Sequence, residues 1–267
     1  MSAPLAASNA RVKEARKLSR RSVRTERRLF LADGPKAVEG ALAAGVVEEI
    51  FATVAAAEQY AHLLGDAEVT LVEPRAIELL SDSVSPAGLV AVCSFFDVEW
   101  AQIHTRVGAD SHSNGLRLVA ICADVRDPGN AGTVIRCADA AGADAVILAG
   151  DAVDLYNPKT IRASVGSVFN LPIVVERDVE AAIAWAKGQG LGVLAADMDG
   201  ADLFAADDLL AQPTAWLFGN EAWGIPAALR DASDHVVSIP IYGQAESLNL
   251  STAAAVCLYA SARSQRR

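Results

Sequence analysis

Cysteine is scarce in this chain and never patterned. Its four residues, Cys93, Cys122, Cys137 and Cys257, form no CxxC, and each sits in an apolar or helical stretch. Buried reduced thiols are therefore expected, and neither a disulfide framework nor a zinc site is. Histidine is equally sparse: His62, His104, His112 and His235 show no HExxH or other metal spacing. No metal is expected, and a histidine-based hydrolase has no support. No run approaches the ~18 consecutive apolar residues of a membrane span. The N-terminal stretch MSAPLAASNARVKEARKLSRR lacks the apolar core of a secretory signal, so a cytoplasmic protein without a membrane partner is expected. There is no Walker loop and no GxSxG. GQGLG at 188–192 follows a helix pattern and precedes a strand pattern, the reverse of the dinucleotide-binding order.

What is present suits a folded α/β protein. The chain has 267 residues, 52% apolar and 21% charged. At ~150 residues per domain this is one large domain or two modest ones, and the apolar fraction excludes global disorder. The net charge of −10 argues at first against a polyanionic partner. Its distribution argues otherwise. Residues 1–36 hold ten Lys or Arg against Glu14, Glu26 and Asp33, giving +7 and leaving the other 231 residues at −17. Arg263, Arg266 and Arg267 add a short basic tail. A solvated charged helix is the plain reading of residues 1–36; a basic arm on nucleic-acid phosphates is the functional one. A mitochondrial presequence is a third, opposed by Leu29, Phe30 and Leu31 leading straight into a folded region.

Residues 37–97 alternate helix and strand patterns as a small α/β domain, with Gly45 ending one helix and Pro74 starting another. Residues 98–115 lose periodicity and read as a linker. Alternation resumes through 116–267, where strands such as 117–125, 191–197, 214–220 and 235–241 are separated by helices. That pattern implies a mostly parallel sheet covered on both faces.

Three polar segments fall at strand ends, where open α/β sheets bind ligands. In ADVRDPGNAGTVIRCADAAG (123–142), Asn130 stands at a helix start and could simply cap it. Arg136 lies about 240° round the helix from Asn130, so periodicity does not bring the two together. In LFGNEAWGIP (217–226), two glycines permit tight turns and close approach to a ligand. In SIPIYGQAESLNLSTAAAVCLYA (238–260), Ser247, Asn249 and Ser251 crowd a helix start beyond the needs of one cap.

Together DPGNAGTVIRCADAAG, LFGNEAWGIP and IPIYGQAESLNLSTAAAVCLY resemble the three motifs of SpoU/TrmH-type RNA ribose 2′-O-methyltransferases, of the SPOUT superfamily. They occur in order and with family-like spacing, and the resemblance spans residues 117–263. RRLFLADGPKAVEGAL (27–42) is similar, more weakly, to the small RNA-substrate-binding domain of many members. The resemblance implies a mostly parallel C-terminal α/β sheet with a deep trefoil knot, which general topology rules would reject. It also implies a homodimer whose active sites are each completed by the partner chain.

The implied cofactor is S-adenosylmethionine, contacted by Leu217, Phe218, Gly219, Ile239, Ile241, Leu248 and Ser251, many of them through backbone. The implied active-site set is Asn130, Arg136, Glu221, Ser247 and Asn249. Family usage makes Arg136 the general base toward a ribose hydroxyl. A guanidinium stays protonated in proteins, so a clamp on phosphate and developing alkoxide is the alternative. Asn130 would orient Arg136 or the ribose, Ser247 and Asn249 would position Arg136 and the cofactor loop, and Glu221 would organise its loop across the dimer interface. Ribosomal RNA is the favoured substrate, for a housekeeping or antibiotic-protecting modification. Transfer RNA, or a non-catalytic role in RNA binding or ribosome assembly, are the alternatives.

Overall fold

A computed structural model describes residues 3–106 and 115–266. The chain divides into two compact units, Met1–Phe96 with Tyr156–Asn170, and Asp97–Leu155 with Leu171–Arg267.

The first unit is built on four strands, β1 (Leu29–Asp33), β2 (Val47–Ala52), β3 (Val69–Leu71) and β4 (Leu89–Ser94), in the order β1-β4-β2-β3. β4 runs antiparallel to both β1 and β2, and β2 is parallel to β3. Residues 1–36 are not a separate arm. Val12, Ala15 and Leu18 recur at helical spacing among the cations and are buried with Leu31, Phe51 and Ile77, so the segment is held by its apolar stripe. Arg24 is itself buried and donates from Nη1 to the carbonyls of Leu18 (2.8 Å) and Ser19 (2.9 Å).

Two further boundaries differ from the sequence reading. Residues 156–170, within the stretch expected as the C-terminal domain, pack with the first unit: Tyr156 lies 4.9 Å from Phe30 between ring centroids and its Oη accepts from the Phe96 N–H at 2.7 Å. Within the expected linker, Val98 and Ile103 are buried in the second unit's core, and the Val98 N–H donates to the Ile173 carbonyl. The remainder of that linker, residues 107–114, lies outside the described residues.

The second unit carries six parallel strands, β5 (Leu118–Ala123), β6 (Ala145–Ala149), β7 (Ile173–Glu176), β8 (Gly192–Asp202), β9 (Thr214–Phe218) and β10 (His235–Ser238), in the order β10-β8-β9-β5-β6-β7. β5, β6 and β9 are buried along their whole length, as a sheet covered on both faces requires. Val119, Ile121 and Leu217 pack on one face with Ile183 and Leu229. On the other, Trp216 donates from Nε1 to Ser261 of the Leu250–Gln265 helix at 2.9 Å.

β8 is longer than its apolar pattern indicates, and β10 shorter. Pairing between them jumps from Val236↔Ala195 to Val237↔Ala201. Gly200 allows it: a Cβ there would stand 2.5 Å from the Val236 carbonyl carbon and the Val237 nitrogen. β10 stops at Ser238 because Pro240 has no N–H to give a ladder, which leaves Ile239 and Ile241 in a loop.

Candidate functional site

The chain leaves β5 through Asp124, held at φ 53°, and enters the Pro128–Ala141 helix. Asp127, not Asn130, caps that helix: its side chain accepts from the Asn130 N–H at 2.8 Å. The Asn130 side chain is thereby left for other contacts. Its Nδ2 donates to Glu221 Oε1 (3.1 Å) and its Oδ1 accepts from Asn249 Nδ2 (3.1 Å).

Glu221 is delivered by the turn after β9. Asn220, buried, donates from Nδ2 to the Asp124 carbonyl at 2.7 Å and accepts from the Ala222 N–H at 2.8 Å. Its backbone exchanges both hydrogen bonds with Gly224. Gly219 has no room for a side chain, since a Cβ would meet the Gly224 backbone at 2.5 Å. The Glu221 carboxylate then accepts from the backbone N–H groups of Arg126 and Asp127, each at 3.2 Å. Asn249 caps the Leu250–Gln265 helix, accepting from the Ser251 N–H (2.9 Å) and Oγ (2.7 Å). It therefore serves both as a cap and as a member of the cluster.

These three loops border a cleft of about 710 Å³ beyond the carboxyl ends of the strands. Asn130, Glu221, Ser247 and Asn249 line it, with Gly219, Ile239, Ile241 and Leu248. Three residues expected at the cofactor do not. Leu217 and Phe218 are buried inside β9, and the Ser251 hydroxyl is spent on Asn249. Arg136 also stands apart, because six residues of helix carry it round and up from Asn130. It is exposed, does not line the cleft, and its side chain makes no hydrogen bond or ion pair among the described residues. The cleft adds residues that sequence reading missed: Asp197, Met198, Trp223 and Arg230. Asp197 had a signal, a lone acid closing the apolar strand LGVLAAD. Arg230, within a short helix, had none.

Cys122, at the end of β5, is no nucleophile. Burial first, and the Glu221 charge second, push its thiol up to about 12. Among the described residues, no group of three or more His, Cys, Asp or Glu could hold a metal, and no helix is long and apolar enough to cross a membrane.

The SpoU rRNA Methylase family profile matches residues 117–259, and that of the MRM3-like substrate binding domain matches residues 9–91. This chain belongs to the SpoU rRNA methylase family. The SpoU chain is 33% identical over 258 residues to the Bacillus subtilis 23S rRNA (guanosine(2553)-2′-O)-methyltransferase RlmP, covering 95% of this chain and 96% of that one. Among solved structures it is similar to the SpoU methyltransferase AviRb from Streptomyces viridochromogenes in complex with the cofactor AdoMet. There the TM-score is 0.82 at 31% identity, over 97% of this chain and 99% of that one. An AdoMet-bound rRNA methyltransferase from Sinorhizobium meliloti gives a TM-score of 0.79 at 32% identity, over 96% and 95%. The family and the mostly parallel C-terminal sheet implied by the three motifs both hold.

Proposed function

We propose that this chain is an S-adenosylmethionine-dependent methyltransferase that modifies a ribose 2′-hydroxyl of ribosomal RNA. The hydrogen-bonded run Glu221–Asn130–Asn249 carries the reading. It joins all three motif loops at one cleft, on the carboxyl ends of β5 and β9, and the similar B. subtilis enzyme is named for this reaction on 23S rRNA.

The cleft fits the cofactor. Its volume of about 710 Å³ lies within the ~300–1,000 Å³ range of small-molecule sites. Ile239, Ile241 and Leu248 offer an apolar wall to adenine. When bound, S-adenosylmethionine supplies an electrophilic methyl group for the ribose oxygen.

The chain's own residues do the positioning. Glu221 fixes the loop at Arg126 and Asp127 and holds the Asn130 amide; Asn249 holds the other end of Asn130. Asn130 is thus set rigidly to orient the ribose, and Ser247 lines the same wall. Arg136 acts as a clamp, binding the adjacent phosphate and stabilising negative charge as it develops on the oxygen. Its exposed place off its own cleft supports a homodimer in which Arg136 serves the partner's cleft.

In the first unit, Lys13, Arg16, Arg20 and Arg21 are exposed, and their side chains make no hydrogen bond or ion pair among the described residues. These four are the candidates to grip RNA phosphates.

The test is transfer of labelled methyl from S-adenosylmethionine to separate unmodified pools of ribosomal and transfer RNA, followed by nucleoside digestion. A labelled 2′-O-methylnucleoside from the ribosomal pool is the expected result. Label in transfer RNA alone overturns the substrate, and cofactor binding without transfer to RNA or ribosomal particles overturns the enzyme.

A further inference from the structure

We infer that the Asp197 carboxylate binds the ribose diol of the cofactor. The inference rests on the S-adenosylmethionine reading above and adds to it a side-chain contact from β8, where its pairing with β9 has ended.

Asp197 lines the cleft just past Ala195, the last β8 residue paired with β9. Its side chain is only 17% exposed. Its charged neighbour is Arg230, whose Nη1 stands 3.7 Å from Asp197 Oδ1, beyond hydrogen-bonding distance. Among the described residues Asp197 accepts no hydrogen bond. A carboxylate withdrawn that far from water, with about four lone-pair sites to satisfy, calls for donors from whatever fills the cleft.

The sheet order says which fragment comes there. Along β10-β8-β9-β5, the apolar Ile239 and Ile241 continue from β10, while Glu221 and Asn130 follow β9 and β5. The stretch of β8 just past Ala195 lies between. An adenosyl sulfonium has the same order: base, ribose, sulfur. With adenine against the apolar wall and sulfur toward Asn130, the ribose falls at Asp197. Two neighbouring hydroxyls are two donors for two carboxylate oxygens. The amino-acid tail lies beyond the sulfur in this order; its ammonium is the rival that the dideoxy analogue below separates, and its carboxylate is not one. Arg230 is shared between Asp197 and Asp199, each at 3.7 Å, so the pole keeps a net negative charge and repels it.

The test is calorimetric titration of the full chain with S-adenosylhomocysteine and with its 2′,3′-dideoxyribose analogue. Loss of charge-assisted hydrogen bonds predicts that Asp197→Asn binds S-adenosylhomocysteine roughly ten- to a hundredfold more weakly, while the dideoxy analogue binds wild type and variant alike. Asp197→Ser repeats the comparison, with thermal unfolding as the check that each variant is folded. Equal weakening of both ligands, or of neither, overturns the inference and leaves the cofactor reading standing. Failure of wild type to bind S-adenosylhomocysteine at all overturns that reading and this inference with it.

Discussion

The two units use charge in opposite ways. In the first, cations are many and mostly committed to the fold. Arg24 is buried, while Arg11, Lys17, Arg27 and Lys36 are paired with Glu49, Glu14 and Glu39. In the second, a few polar side chains are fixed by backbone groups at strand ends. A surface that grips phosphates loses affinity in increments as cations are removed. A cluster whose members hold one another fails as a whole. Burial and partners, rather than the count of charges, decide which behaviour a residue shows.

The largest expected effect is therefore in the second unit. Glu221→Ala strips the acceptor from Arg126 N–H, Asp127 N–H and Asn130 Nδ2. Single-turnover methyl transfer should fall by roughly 10²–10³, as for other lost preorganised contacts, with cofactor affinity reduced far less. Full turnover in Asn130→Ala would remove Asn130 from the site. Arg136→Ala should be nearly inactive alone. Mixed with Asn249→Ala, it should regain about a quarter of wild-type activity, because half the dimers are mixed and each holds one intact site. No regain would place Arg136 at its own cleft and break the dimeric reading.

The first unit should respond by degrees. Neutralising Lys13, Arg16, Arg20 and Arg21 should flatten the salt dependence of RNA binding by about 0.7–0.9 in log–log slope for each cation that touches a phosphate. Cofactor affinity should not change. Arg24→Gln removes the same charge from the same segment but orphans the Leu18 and Ser19 carbonyls. It should cost about 1–3 kcal/mol of stability by denaturant titration with the salt slope kept. An altered slope in Arg24→Gln would erase the distinction between the committed and the free cations.

Much of the second unit was legible in the sequence, because long buried strands and strand-end polar clusters follow from local pattern. Asn130, Glu221 and Asn249 lie in those clusters, but only the family resemblance singles them out, and their mutual contacts were not legible. Nothing in the spacing says that Asp127 takes the capping role and frees Asn130. The first unit was harder. Val12, Ala15 and Leu18 are three apolar residues in a run dominated by Arg and Lys, so the charge masked the stripe. The return of Tyr156–Asn170 to the first unit is a long-range packing choice of Phe30, Tyr156 and Phe169, with no local signal. Leu217 and Phe218 belong to a motif and lie within β9 with their side chains buried, which leaves their backbone as the part that could meet a cofactor.

The smallest expected effects set one carboxylate from each unit against the other. In the first unit, burial raises the Asp33 carboxyl above its ordinary 3.8, with the Ser81 hydrogen bond and Arg162 opposing. In the second, burial also pushes Asp234 up, but hydrogen bonds from Lys187 and the Val193 N–H outweigh it and hold the carboxyl below 3.8. The native state thus binds the Asp33 proton more tightly than the unfolded chain does, and the Asp234 proton less tightly. Ionised Asp33 costs stability above its raised value, and that cost fades as pH falls toward 3.8. Asp234 contributes stability above 3.8 that is lost as pH falls through its lowered value. Asp33→Asn should therefore stabilise most at neutral pH and progressively less in acid. Asp234→Asn should destabilise at neutral pH by a few tenths of a kcal/mol, since the Lys187 pair is partly solvated, and be neutral well below pH 3.8. Urea titrations across this range read both differences. Curves of the same sign would mean that hydrogen bonding, not burial, governs Asp33 as well.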